Sequence, residues 1–189
     1  GTNVTFVEAV EAVLGDPAWL AAWLTADKAA TAAIDVVLGG TTPYDVARTI
    51  NRAVPPKGLL FVGSSNPIRD LDLVARPYPV GERRMIIGNR GLAGIDGTLS
   101  TAIGAALARA SSGRAIAYVG DLTFLHGSNG LLIGPDEPRP DLTIVVASDD
   151  GGSIFSTLEQ GAPDYADSFE RVYATPTGAD IAALCAGYG

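Results

Sequence analysis

One cysteine and one histidine occur in 189 residues, and each scarcity removes a class of chemistry. A lone Cys185 cannot close an internal disulfide or build a cysteine-ligated metal site, and it reads as a buried, inert thiol. His126 has no Ser or Cys nucleophile motif beside it, so a loop or helix-end role is assigned to it rather than acid–base catalysis. Basic residues are outnumbered, 13 Lys and Arg against 21 Asp and Glu for a net charge of −8, and they are scattered. That excludes a nucleic-acid surface, which needs clustered cations to neutralise phosphates. No run reaches the ~18 apolar residues of a membrane-spanning helix. The opening GTNVTFVEAV has neither the basic region nor the apolar core of a signal peptide. A soluble, cytoplasmic chain without a membrane partner is expected. If it holds an anion, it must do so locally, through backbone N–H groups, a few aimed arginines or a divalent cation.

What is present is enough apolar material for a core: 47% of the residues are hydrophobic and 18% charged. The length suits one full domain, or one domain with part of another. Residues 5 to about 53 read as helical. WLAAWLTADKAATAAIDVVL is rich in Ala and Leu, with Asp16 and Pro17 as a start signal and Gly39 and Gly40 as a stop. TPYDVARTINRAV repeats the form, with Thr42 placed to cap and Pro43 at the first helical position. After PPKG the texture changes. LLFVGSS, RMIIGNR, AIAYVGD and LTIVVASDD are short apolar runs that end in Gly, Asp, Asn or Ser and do not alternate, as strands buried on both faces do. DGTLSTAIGAALARA between the second and third runs can serve as a crossover helix. The predicted fold is α/β, a doubly wound parallel sheet flanked by helices and preceded by a helical segment. Residues 1–54 are assigned to the tail of a preceding domain or a linker, and 55–189 to a C-terminal domain. ADIAALCAGYG starts an amphipathic helix and stops, so that domain is expected to be incomplete and the chain part of a longer protein.

In an open parallel sheet, ligands gather beyond the carboxyl ends of the strands. Asp121 follows AIAYVG, and Asp149 and Asp150 follow LTIVVAS, which places both acidic positions on that edge. If the two strands are neighbours, the carboxylates can converge on one hard cation. Mg²⁺ takes oxygen ligands and joins one or two carboxylates to phosphate oxygens. Gly151 and Gly152 allow close backbone approach and offer a carbonyl as a further ligand. The competing reading is that acids after strands only form turns and helix caps.

This constellation resembles the diphosphate-binding motif of thiamine diphosphate enzymes, in which a Gly-Asp-Gly opens a segment ending in Asn-Asn. Three stretches sharpen it: GNRGLAGIDGTLSTAIGAALA (88–108), GDLTFLHGSNGLLIG (120–134) and GGSIFSTLEQG (151–161). Together they resemble the 2-succinyl-5-enolpyruvyl-6-hydroxy-3-cyclohexene-1-carboxylate synthases of menaquinone biosynthesis. The resemblance implies a thiamine diphosphate-binding fold, thiamine diphosphate and Mg²⁺ (or Mn²⁺) as cofactors, and a homodimer or homotetramer in the full-length protein. The implied reaction decarboxylates 2-oxoglutarate and adds the resulting carbanion to isochorismate. The family's N-terminal domain, which supplies the glutamate that activates the cofactor, is absent from these residues, so no turnover is expected from this chain alone. Two other readings stand beside this one. One is a non-catalytic cofactor-binding or oligomerisation fragment; the other is a different thiamine diphosphate enzyme, such as an acetolactate synthase type. A dinucleotide-binding dehydrogenase is disfavoured, since no G-x-G-x-x-G joins a first strand to a helix.

Residue by residue, the resemblance implies that Asp121 and Asp149 ligate the metal through their side chains and Gly151 through its carbonyl. Gly94, Ile95, Gly120, Leu122 and Gly152 would complete the cofactor contacts. Ile95 matches the bulky apolar residue that props the cofactor in its bent, reactive form. Ser65, Arg69 and Arg90 match residues that bind substrate carboxylates, and guanidinium suits that task because it grips a carboxylate in two-pronged fashion. Phe155 would line the substrate pocket or pack in the core. The chain departs from the family pattern at Asp149, where Asn is usual, at Asp150, where another Asn often follows, and at Gly127, where an acid is expected.

Overall fold

The computed structural model describes residues 16–89, 91 and 94–189. Two compact units divide the chain after Gly39. In the first, helix α1 spans Pro17–Val37. Asp16 caps it by accepting the Ala18 N–H at 2.9 Å, and Pro17 occupies its first turn, so the expected start signal acts as one. Trp19 and Trp23, one turn apart, stack as tilted rings 5.9 Å between centroids.

The second unit begins with α2, Pro43–Ala53. Thr42 and Asp45 form a reciprocal capping box: the Asp45 N–H donates to the Thr42 hydroxyl and the Thr42 N–H to the Asp45 carboxylate. Ala47 and Ile50 of this helix, and Val54 just after it, are buried. The boundary drawn at residue 54 therefore falls inside the second unit, because α2 contributes apolar side chains to that unit's core. Four strands follow: β1 Leu59–Val62, β2 Met85–Ile87, β3 Ala115–Gly120 and β4 Leu142–Ala147. Between them lie α3 (Asn66–Val74), α4 (Thr98–Ala108) and α5 (Asp121–Gly127). After β4 the chain runs through single turns of 3₁₀-helix, α6 (Ala166–Phe169), a π-turn over Glu170–Ala174, and α7 (Ile181–Tyr188).

All four strands are parallel, in the order β2-β1-β3-β4. This is the doubly wound arrangement that the apolar runs predict. From β1 the chain steps outward to β2 by α3, then crosses back by α4 to β3, so the winding direction reverses between β1 and β3. Phe61 and Ala117 meet Ala102 of α4, and Leu99 meets Val119 and Phe124. Strand side chains alternate between faces, so Leu60, Val62, Ile116 and Tyr118 turn to the other face. The central strands are buried along their length, whereas in β2 Met85 is 39% and Ile86 45% exposed. The expectation of burial on both faces holds for β1 and β3 and fails for β2 and β4, which are the edges of this sheet. Among the described residues, no helix is long and apolar enough to cross a membrane.

Candidate functional site at the carboxyl edge of the sheet

Parallel pairing of β3 with β4, Gly120 opposite Ala147, brings the two acidic strand ends side by side. Asp121 is the first residue of α5 and is only 4% exposed. Its carboxylate gathers the loop after β4. Oδ2 accepts the Ser148 hydroxyl at 3.2 Å, the Asp149 N–H at 3.2 Å and the Gly151 N–H at 3.0 Å, while Oδ1 accepts the Leu122 N–H at 2.6 Å. Asp149 is exposed, and its Oδ2 accepts the Ser153 hydroxyl.

Asp150 has a different task. It sits at φ 58°, and its Oδ1 accepts the N–H groups of Thr177, at 3.0 Å, and Gly178, at 2.9 Å. That carboxylate ties down the returning segment. Gly151 and Gly152 explain themselves locally as well. Gly151 has φ 140°, a Cβ on it would lie 2.1 Å from the Ala174 carbonyl oxygen, and the Gly152 N–H donates to that oxygen at 2.6 Å. The close approach that the Gly pair permits is an approach of the chain to itself.

The oxygens left over suit a hard cation. Asp121 Oδ1 accepts a single hydrogen bond, Asp149 Oδ1 accepts none and the Gly151 carbonyl accepts none among the described residues. No group of three or more His, Cys, Asp or Glu is placed to hold a metal among the described residues. Two carboxylates and one carbonyl form a set that would draw its remaining ligands from phosphate and water, as Mg²⁺ sites do and closed protein cages do not.

The other sequence-predicted residues lie on neighbouring loops. Ser65 stands at φ 73° at the start of α3, and its hydroxyl makes no capping bond. Arg69 is exposed and donates to the Ser65 carbonyl at 2.7 Å, which joins these two on one turn. Arg90 lies outside the described residues. Gly94 and Ile95 belong to the loop before α4, where Thr98 donates to the Ile95 carbonyl at 2.7 Å; Ile95 is half-buried. Phe155 packs on Tyr173, rings 5.8 Å apart. His126 is exposed on the last turn of α5. Cys185, expected to be buried, is exposed on α7.

Two groups escape a reading of the sequence. Asp70 is 8% exposed on the buried stripe of α3 formed with Pro67, Leu71 and Val74. Burial, and then the charge of Asp149, push its carboxyl above the ordinary range. Tyr118 is fully buried, its hydroxyl finds no protein partner among the described residues, and burial followed by the charges of Asp70 and Asp149 pushes it up to about 12. The available signal was an acid on an otherwise apolar helix face. A cavity of about 500 Å³ lined by Val46, Thr49, Ile50, Ile116, Thr143 and Val145 lies beside α2, on the strands' flank and not at their carboxyl ends. Its two charged lining residues, Asp45 and Arg114, are paired with Arg48 and Asp141, so the strand-end loops remain the candidate site.

No family model matches the chain. It is 55% identical over 183 residues to a 2-succinyl-5-enolpyruvyl-6-hydroxy-3-cyclohexene-1-carboxylate synthase from a Nocardioides strain, covering 95% of this chain and 34% of the relative. A protein of the same name from Saccharopolyspora erythraea is 54% identical over 180 residues, covering 92% and 31%. One from a Mycobacterium strain is 49% identical over 193 residues, covering 99% and 35%. The chain thus spans about a third of the length of the curated relatives it matches. Among solved structures it is similar to a thiamine diphosphate-dependent 4-hydroxybenzoylformate decarboxylase from Rhodococcus jostii, with TM-score 0.54 and 20% identity over 80% of this chain and 27% of that one. That likeness is one of fold.

Proposed function

Because the chain belongs to the family of 2-succinyl-5-enolpyruvyl-6-hydroxy-3-cyclohexene-1-carboxylate synthases, as a segment about a third of their length, we propose that it is the diphosphate- and metal-binding part of such an enzyme. It would serve a synthase of menaquinone biosynthesis that uses thiamine diphosphate and Mg²⁺ (or Mn²⁺), takes 2-oxoglutarate and isochorismate, and works as a homodimer or homotetramer. The observation that carries the reading is the buried Asp121 carboxylate holding the loop of Asp149 and Gly151 against its own strand end.

In this reading Asp121, Asp149 and the Gly151 carbonyl hold the divalent cation, which lets a chain of net charge −8 retain a diphosphate. Asp149, as an acid where Asn is usual, binds the cation more strongly and repels the diphosphate more, and the cation has to offset both carboxylates. Thiamine diphosphate, when bound, supplies the electron sink for breaking and making carbon–carbon bonds. The chain's own residues position: Ile95 supports the cofactor from the loop before α4, with Gly94, Gly120, Leu122 and Gly152 giving close backbone contact. Ser65, Arg69 and Arg90 take substrate carboxylates, and Phe155 closes one wall. Charge placed in advance in this way lowers a barrier without reorganisation during the reaction.

Calorimetric titration of the chain with thiamine diphosphate, with and without Mg²⁺, tests the proposal. Binding is expected with Mg²⁺ and is expected to be lost in Asp149→Ala. That variant leaves the four hydrogen bonds to Asp121 intact, because the bond at position 149 comes from the backbone. Metal-independent binding, or an unchanged affinity in Asp149→Ala, contradicts it.

A further inference from the structure

The loops after β1 and β4 are separated in the sheet by β3, yet one side chain joins them. Ser153 accepts a hydrogen bond from Asn66 Nδ2 at 3.2 Å and donates its own to Asp149 Oδ2. A serine hydroxyl has a single proton to give. The Asn66 amide N–H can only donate, so the hydroxyl oxygen receives it and the hydroxyl proton goes to Asp149. Both Asn66 and Ser153 are half-buried, while the Asp149 side chain is exposed at the end of its loop. Without a tether, such a carboxylate samples several staggered rotamers, and a metal must then select one of them.

We propose that Ser153, oriented by Asn66, is a positioning residue that fixes the Asp149 carboxylate with Oδ2 tied and Oδ1 presented to the cation. The inference rests on the functional reading above. Asn66 opens α3 one residue after Ser65 and three before Arg69, so the same hydroxyl links the loop assigned to substrate carboxylates with the loop assigned to the metal. Neither residue touches the reacting atoms; they act through Asp149.

The test is the affinity of the chain for thiamine diphosphate at saturating Mg²⁺, measured by calorimetry for Ser153→Ala, Ser153→Thr, Asn66→Ala, the Asn66→Ala/Ser153→Ala double variant and Asp149→Ala, with metal-free melting temperature recorded for each. Ser153→Ala is expected to weaken binding about tenfold, the size of one hydrogen bond to a charged group. Ser153→Thr, which keeps the hydroxyl, is expected to restore it. The double variant is expected to be no weaker than Ser153→Ala, because the two residues act as one unit. Metal-free melting is expected to stay with that of the unaltered chain. Full affinity in Ser153→Ala while Asp149→Ala has lost it overturns the positioning role and leaves the functional reading standing; so does a Ser153→Thr variant as weak as Ser153→Ala. Full affinity in Asp149→Ala, or none in the unaltered chain, overturns the functional reading and this inference together.

Discussion

Burial is the dominant fact for two side chains beside the candidate site. The Tyr118 hydroxyl is enclosed with no protein partner among the described residues, and leaving a buried polar group unsatisfied costs stability that removal of the group recovers. Tyr118→Phe is expected to be more stable than the unaltered chain by about 1 kcal/mol, measured by urea unfolding; a loss of stability would contradict this account of the hydroxyl. Asp70 carries the same logic into pH. Its carboxyl is raised above the ordinary 3.8 by burial and then by Asp149, so the folded chain holds this proton more tightly than the unfolded one. The contribution of Asp70 to stability is therefore most favourable below the unfolded value and is lost as pH rises through the folded value. Asp70→Asn should be more stable at neutral pH and should lose that advantage in acid. Asp121 was legible from the sequence because Gly-Asp ends an apolar run. Asp70 offered only a weak signal, an acid on an otherwise apolar helix face, because nothing in NPIRD says which side of the helix another element covers.

Helices and loops differ in how much of their stability is local. For α2 the capping box is written in Thr42 and Asp45, three residues apart, and Thr42→Ala is expected to cost about 1 kcal/mol, read as a lower urea midpoint. The strands and the crossover helix α4 were equally readable, since uninterrupted apolar runs and an Ala-rich segment need no distant partner to declare themselves. The path from Ser153 to Ala174 was not readable. Its short turns have no period, and its anchors are long-range: Asp150 to Thr177 and Gly178, and Gly152 to Ala174. The Gly pair, suggestive of ligand approach in the sequence, is required by that path. Gly151→Ala would place a side chain at φ 140° and against the Ala174 carbonyl, so it should cost more than about 2 kcal/mol. An unaltered melting temperature in that variant would show that the returning segment is not packed as described.

For the molecule as a whole, topology does the work of assembling chemistry. Winding reverses between β1 and β3, and in open α/β sheets the crevice at such a reversal is where ligands bind. Here the loops bearing Ser65, Asp121 and Asp149 all emerge at that edge. The sheet order was not written in the sequence, because four similar apolar runs permit several orders; only pairing settles that β3 and β4 are neighbours, and with it the meeting of Asp121 and the Asp149 loop. The most direct test of the central claim, that these two acids share one cation with a diphosphate, is anomalous diffraction from crystals of the chain grown with thiamine diphosphate and Mn²⁺. The account predicts a single strong peak bonded to carboxylate oxygens of both Asp121 and Asp149 and to the Gly151 carbonyl. A peak that contacts neither acid, or only one, would contradict it.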